Sequence, residues 1–151
     1  MTEPEHDYRL LAAKVAIGEG RYQEALDQLD QIEVDSPEDE AQKLVIAGQS
    51  FEGLNDAGRA HEAYARARAL APELAAPLLR EGVLLYRRGD REGARILLYR
   101  YFQVEPGNPE ALYYLALCEL DRSRRAEAVR RLAVLDGPSA AWSRELLDTD
   151  R

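Results

Sequence analysis

Three rows of residues return along this chain at an almost constant interval, and that period restricts the fold more than any single residue does. The first row is Ala25, Ala60, Ala94 and Ala128, spaced 35, 34 and 34. The second, Ala13, Gly48, Gly82 and Ala116, repeats those three intervals, and the prolines Pro37, Pro72 and Pro106 keep 35 and 34. A period of this size means one small supersecondary unit used several times. Such a unit cannot bury its apolar face alone, so neighbours have to stack.

The stretch from Ala41 to Leu74 displays the unit most clearly. Leu44, Ala47, Gly48 and Phe51 mark one face of a helix, and Ala60, Tyr64 and Ala67 mark a second helix that stops at Pro72. Between them lies GLND, where Gly53 is expected to take the left-handed conformation that ends a helix and Asn55 or Asp56 to cap the next.

The other units follow the same plan. Thr2 and Glu5 make a capping box with Pro4 behind the cap, which predicts a helix from about Pro4 to Ile17. GEG at 18–20 breaks it, and Tyr22, Ala25, Leu26, Leu29 and Ile32 form the apolar face of its partner. Ser36, Pro37 and Asp39 predict a new helix start at Pro37. Pro77 belongs to a first turn, Gly82 to a close contact between helices, and Gly89 with Asp90 to a stop and a cap. Ala94, Leu97, Leu98 and Tyr101 line the next helix, after which Asn108 caps and Pro109 opens another. Leu112, Leu115, Ala116 and Leu117 continue it, with a turn expected around Ser123. A last helix is predicted over Ser139 to Leu147, with Trp142, Leu146 and Leu147 on one side packing on the fourth unit.

Two helices in about 34 residues is the tetratricopeptide pattern. The chain resembles the tetratricopeptide repeat (TPR) family through AGQSF at 47–51, EGVLLY at 81–86, GRYQEAL at 20–26, GDREGA at 89–94 and the three prolines. The resemblance implies an all-α, right-handed superhelical solenoid of about four helix–turn–helix units plus a C-terminal capping helix. The units fall at about 6–39, 41–74, 75–108 and 109–142, the capping helix at about 139–147, and 1–151 is expected to be a single domain. The chain departs from the pattern in having no tryptophan near the start of any unit, and its end units depart further, with Ala16 in place of an aromatic in the first and no closing proline in the fourth.

Composition sets outer limits. With 46% hydrophobic residues the chain can bury a core, and no apolar run approaches the roughly 18 residues of a membrane span. The opening MTEPEHDYRL lacks the basic-then-apolar order of a secretory signal, so a cytoplasmic location is expected. The lone Cys118 excludes an internal disulfide. Formal charge is −9 over residues 1–40, +2 over 41–108 and −1 over 109–151. The acidic first unit disfavours nucleic acid and anionic membrane, and neither is expected as a partner. Arg87, Arg88, Arg91 and Arg95, then Arg122, Arg124, Arg125, Arg130 and Arg131, are interleaved with Glu92 and Glu127 and are expected to be solvated helix faces, the alternative being a stripe for an acidic partner or RNA.

Function follows from the resemblance. In this family the second, fifth, ninth and twelfth places of each unit face the concave side. That implies a partner-binding groove drawn from Leu10, Lys14, Ile17, Gln42, Val45, Gln49, Glu52, Leu79, Val83, Tyr86, Tyr113 and Leu117. The clamp by which some members grip a C-terminal carboxylate would need cationic or amide groups where this chain has Leu10, Lys14, Ile46, Leu79 and Val83. A carboxylate there would lose hydration without compensation. The expected role is therefore a protein-interaction scaffold, adaptor or chaperone holding an apolar segment or amphipathic helix, similar in size and repeat type to class II chaperones of type III secretion. Two alternatives stand beside it: a self-associating, homo-oligomeric structural subunit, and a regulatory module using its arginine-rich face. No enzyme, metal or cofactor is expected, because His6 and His61 lack partners at metal-ligand spacing and Cys118 lies on an apolar helix face.

Overall fold

The computed structural model describes residues 2–120, 122–135 and 137–148. Among them there is no strand, and the helices are α1 (Glu3–Gly18), α2 (Tyr22–Asp30), α3 (Pro37–Gly53), α4 (Ala57–Leu70), α5 (Ala76–Arg87), α6 (Arg91–Val104), α7 (Pro109–Cys118), α8 (Arg122–Ala133) and α9 (Pro138–Asp148). The protein is all-α, built of successive helical pairs followed by α9. None of the described helices is long and apolar enough to cross a membrane.

Three of the turns inside the pairs are closed by the same hydrogen bonds. In the first, the Arg21 amide donates to the Ala16 carbonyl at 2.8 Å and the Gly20 amide to Ile17 at 3.0 Å. The second uses Asp56 to Phe51 and Asn55 to Glu52, and the third Asp90 to Leu85 and Gly89 to Tyr86, at nearly the same lengths. This is the Schellman closure, which needs one left-handed residue. The residues supplying it are Gly20, Asn55 and Gly89, at φ 76°, 59° and 88°. Asn55, rather than Gly53, is thus the left-handed residue of the second turn. Gly53 closes α3 in helical conformation, and it is glycine because a Cβ there would collide with the Tyr22 ring.

Helix starts follow their caps. The hydroxyl of Ser36 accepts from the Asp39 amide at 3.1 Å, Asp56 from Arg59 at 3.1 Å, Asp90 from Gly93 at 2.9 Å and Asn108 from Ala111 at 3.0 Å. The fourth pair departs from the plan. α7 stops at Cys118, Glu119 is extended, and Ser123 is already inside α8, so the break precedes Ser123 rather than surrounding it. Asp121, within that break, lies outside the described residues.

Two compact units divide the chain, Met1–Glu81 and Gly82–Arg151. In the first, Leu10, Ala13 and Ala16 of α1 meet Ala25 and Leu29 of α2, Ile32 and Ile46. Ala41, Ala67 and Ala71 form a second cluster with Leu44, Val45 and Leu74 against it. The small-residue rows mark where helices touch. A Cβ on Gly48 would stand 2.7 Å from Cζ of Tyr64, a ring with no exposed surface whose hydroxyl donates to Glu52 at 2.5 Å. Glu81, 1% exposed, is held by Arg68 at 2.9 Å, with His61 Nδ1 3.3 Å away.

The second unit has its own core of Leu112, Ala116, Ala128, Val129, Leu132 and Leu146, edged by Phe102, Tyr113, Leu117, Leu135 and Trp142. Gly82 lies under Leu98, whose Cγ would be 2.8 Å from an added Cβ. α9 covers this core as a terminal helix should: Leu146 is buried and the Trp142 ring packs 5.2 Å from Tyr113. Leu147, expected on the same side, is instead exposed, because only every third or fourth residue of so short a helix reaches the core.

Candidate functional site

Helical spacing places Lys14 and Ile17 on one face of α1, and Gln42, Val45 and Gln49 on one face of α3. In the first unit these two faces border a cavity of about 560 Å³, completed by Gly18, Ile46, Leu74, Ala76 and Arg80. Ile17, Val45, Ile46 and Leu74 make its apolar part. Lys14, Gln42, Gln49 and Arg80 bring two cations and two amides, each amide able both to donate and to accept. Such a surface takes apolar side chains while satisfying the backbone of whatever carries them.

The other residues expected in a groove have different surroundings. Leu10 belongs to the α1–α3 core, and Leu79 and Val83 are buried, 5% and 3% exposed. Glu52 accepts the Tyr64 hydroxyl. In the second unit Tyr86 meets Tyr114 edge-on at 5.4 Å, and Tyr114 meets Tyr113 at 5.3 Å. Tyr113 also donates to Glu145 at 3.3 Å; burial, with that carboxylate beside it, holds its phenol above the ordinary value. Leu117 is a half-buried edge of the second core, and its carbonyl accepts from Arg91. Of the cavity residues, Leu74 and Arg80 were not legible as site residues. Leu74 stands on the connection into α5, whose path carries no periodic signal, and Arg80 just beyond the first turn of α5, where that path sets which way the helix faces.

The arginines of the second unit are mostly engaged within it. Arg95 pairs with Glu92 at 2.6 Å, and Arg130 and Arg131 pair with Glu127 at 2.7 and 2.9 Å. Arg131 also lies over the Phe102 ring at 5.2 Å, and Arg124 over Tyr99 at 6.0 Å. Cys118 is buried, and burial pushes its thiol up to about 11, away from the reactive thiolate. Among the described residues no group of three or more His, Cys, Asp or Glu side chains could hold a metal ion.

Period, helix pairs and terminal helix together define an all-α helical-repeat protein. Its likeness among solved structures is to MamA. One crystal structure of MamA has a TM-score of 0.66 at 19% identity, covering 98% of this chain and 82% of that one. A MamA AMB-1 structure has a TM-score of 0.66 at 17% identity, covering 99% and 84%. At such identities the likeness is one of fold. No family model matches the chain, and no match is found among curated proteins.

Proposed function

We propose that this chain is a protein-binding module of tetratricopeptide type, with residues 1–151 working as one domain. It holds an apolar segment of another protein in the cavity between α1 and α3. The observation that carries this reading is that five of the twelve residues implied by the family's register, Lys14, Ile17, Gln42, Val45 and Gln49, line one cavity. An apolar hollow with a few polar groups at its edge is the default binding site of a helical protein. The partner is a protein rather than a nucleic acid, since the unit that holds the cavity carries most of the chain's negative charge. Scaffold, adaptor or chaperone are names for what such a module does with its ligand.

The test is a photo-crosslinking amino acid in place of Gln49, compared with the same group at Glu62, an exposed residue of α4 outside the cavity. The expected result is a protein adduct at residue 49 alone, mapped by peptide sequencing to an apolar segment and suppressed by Lys14→Glu with Gln42→Glu. Equal labelling at both positions, or adducts with no apolar segment, would refute the proposal.

A further inference from the structure

Two surfaces unused by the cavity reading complement each other. On α1, Tyr8, Leu11 and Val15 are 70%, 59% and 48% exposed. Their spacing puts them on one face, away from the side that sends Leu10, Ala13 and Ala16 into the core. A contiguous stripe of large apolar side chains on an outward face marks a contact surface. Its charged surroundings are acidic, because the two cations of α1 turn elsewhere. Arg9 donates to Gln31 at 2.7 Å and Lys14 lines the cavity, which leaves Glu3, Glu5 and Asp7 exposed; Glu19, just beyond the helix, pairs with Arg21.

The second surface is a cavity of about 430 Å³ between α8 and α9. Val129, Ala133 and Leu147 supply its apolar wall, and Arg122, Arg125 and Arg130 its charge. Arg125 donates to the Leu146 carbonyl at 3.3 Å, and Arg130 is fixed by Glu127. α8 still carries five arginines against one glutamate, so the cavity sits in a positive field.

We infer that the outward face of α1 docks in the α8–α9 cavity of a second copy of this chain. Tyr8, Leu11 and Val15 enter against Val129, Ala133 and Leu147, and Glu3, Glu5 and Asp7 approach the arginines. The two surfaces differ, so the contact is head-to-tail and each added copy presents a fresh surface of either kind. A patch this small with charges at its edge gives weak, salt-sensitive association. The inference is independent of the α1–α3 cavity and its ligand.

Sedimentation velocity on the full chain tests it. The expected result is a weight-average mass that rises with concentration, the association weakening about tenfold from low to high salt. Leu11→Glu spoils one surface and Arg122→Glu with Leu147→Glu the other; all three positions are exposed, so helicity should be unchanged. Each variant alone is expected to be a monomer. Mixed, the two should form a one-to-one heterodimer and nothing larger, because only one good pair of surfaces remains. A wild-type chain that is monomeric throughout, a variant that still self-associates, or a mixture that stays monomeric would each overturn the inference. Val15→Glu and Leu147→Asp serve as second variants should either first choice lose its fold.

Discussion

Substituting Gly48 by alanine tests the packing that holds α3 on α4. The new methyl carbon would stand 2.7 and 2.8 Å from Cζ and Cδ1 of Tyr64, against about 3.5–4.0 Å for two carbons in comfortable contact. An overlap of roughly 1 Å has to be relieved. The ring has no exposed surface and its hydroxyl is tied to Glu52, so it cannot simply swing into solvent. Overpacking of this kind costs about 1–3 kcal/mol, whereas replacing a helical glycine by alanine returns up to about 1 kcal/mol. The net expectation is a loss of about 1–2 kcal/mol, or a fall of roughly 2–8 °C in Tm for a chain of this length. Gly18→Ala is the internal control, since nothing lies within 4 Å of a Cβ there and no cost opposes the gain in helix propensity. Urea unfolding followed by helicity should place the two variants on opposite sides of wild type. Adding Tyr64→Leu to Gly48→Ala should recover part of the loss, a coupling of about 1 kcal/mol by double-mutant cycle. If Gly48→Ala proves as stable as Gly18→Ala, the small-residue row is not a contact row and the reasoning fails.

Three further outcomes are expected. Arg68→Ala takes the guanidinium from the Glu81 carboxylate, 1% exposed, leaving His61 beside it, and should cost about 3 kcal/mol in chemical unfolding, while Arg68→Met with Glu81→Leu should cost much less. Cys118, with its thiol pushed up to about 11 by burial, should resist a thiol reagent at neutral pH and react fully only in denaturant. Acid should destabilise through Asp56, Glu92 and Glu127. The Arg59 amide and guanidinium hold Asp56 below its ordinary 3.8, while Arg95 holds Glu92, and Arg130 and Arg131 hold Glu127, below 4.5. Their stabilisation is present above those ordinary values and lost as pH falls through the lowered ones, because the unfolded chain then binds more protons. Glu92 is exposed and Asp56 and Glu127 are half-buried at the surface, so added salt should shrink the effect; an unfolding midpoint flat down to pH 3 would count against it.

What could be read from the sequence, and what could not, divides along physical lines. Helix starts at Pro37, Arg91 and Pro109 were legible because a cap and the amide that donates to it lie three residues apart, a wholly local arrangement. The roles of Gly48 and Gly82 were legible because their period marks helix contact. Gly53 misled for the opposite reason. Its glycine is demanded by the Tyr22 ring, 31 positions earlier in the chain, while the left-handed turn fell to Asn55, which also tolerates it. The cavity was half legible: α1 and α3 supplied periodic faces, whereas Leu74 reaches it by the course of a connection and Arg80 from the start of α5, which that connection places. Leu79 and Val83 fit the register of a groove, yet burial depends on what packs over a helix, which register does not contain.

The three Schellman turns are each closed by the backbone of their own six residues, without borrowing a hydrogen bond from the rest of the chain. A segment such as 41–74 therefore carries a complete set of joining instructions. Copying it in tandem would lengthen the protein by one whole module and leave every turn intact. Adding a single residue at Gly20, Asn55 or Gly89 would throw all that follows out of phase. Length in this chain is quantised, and the natural increment is a full period.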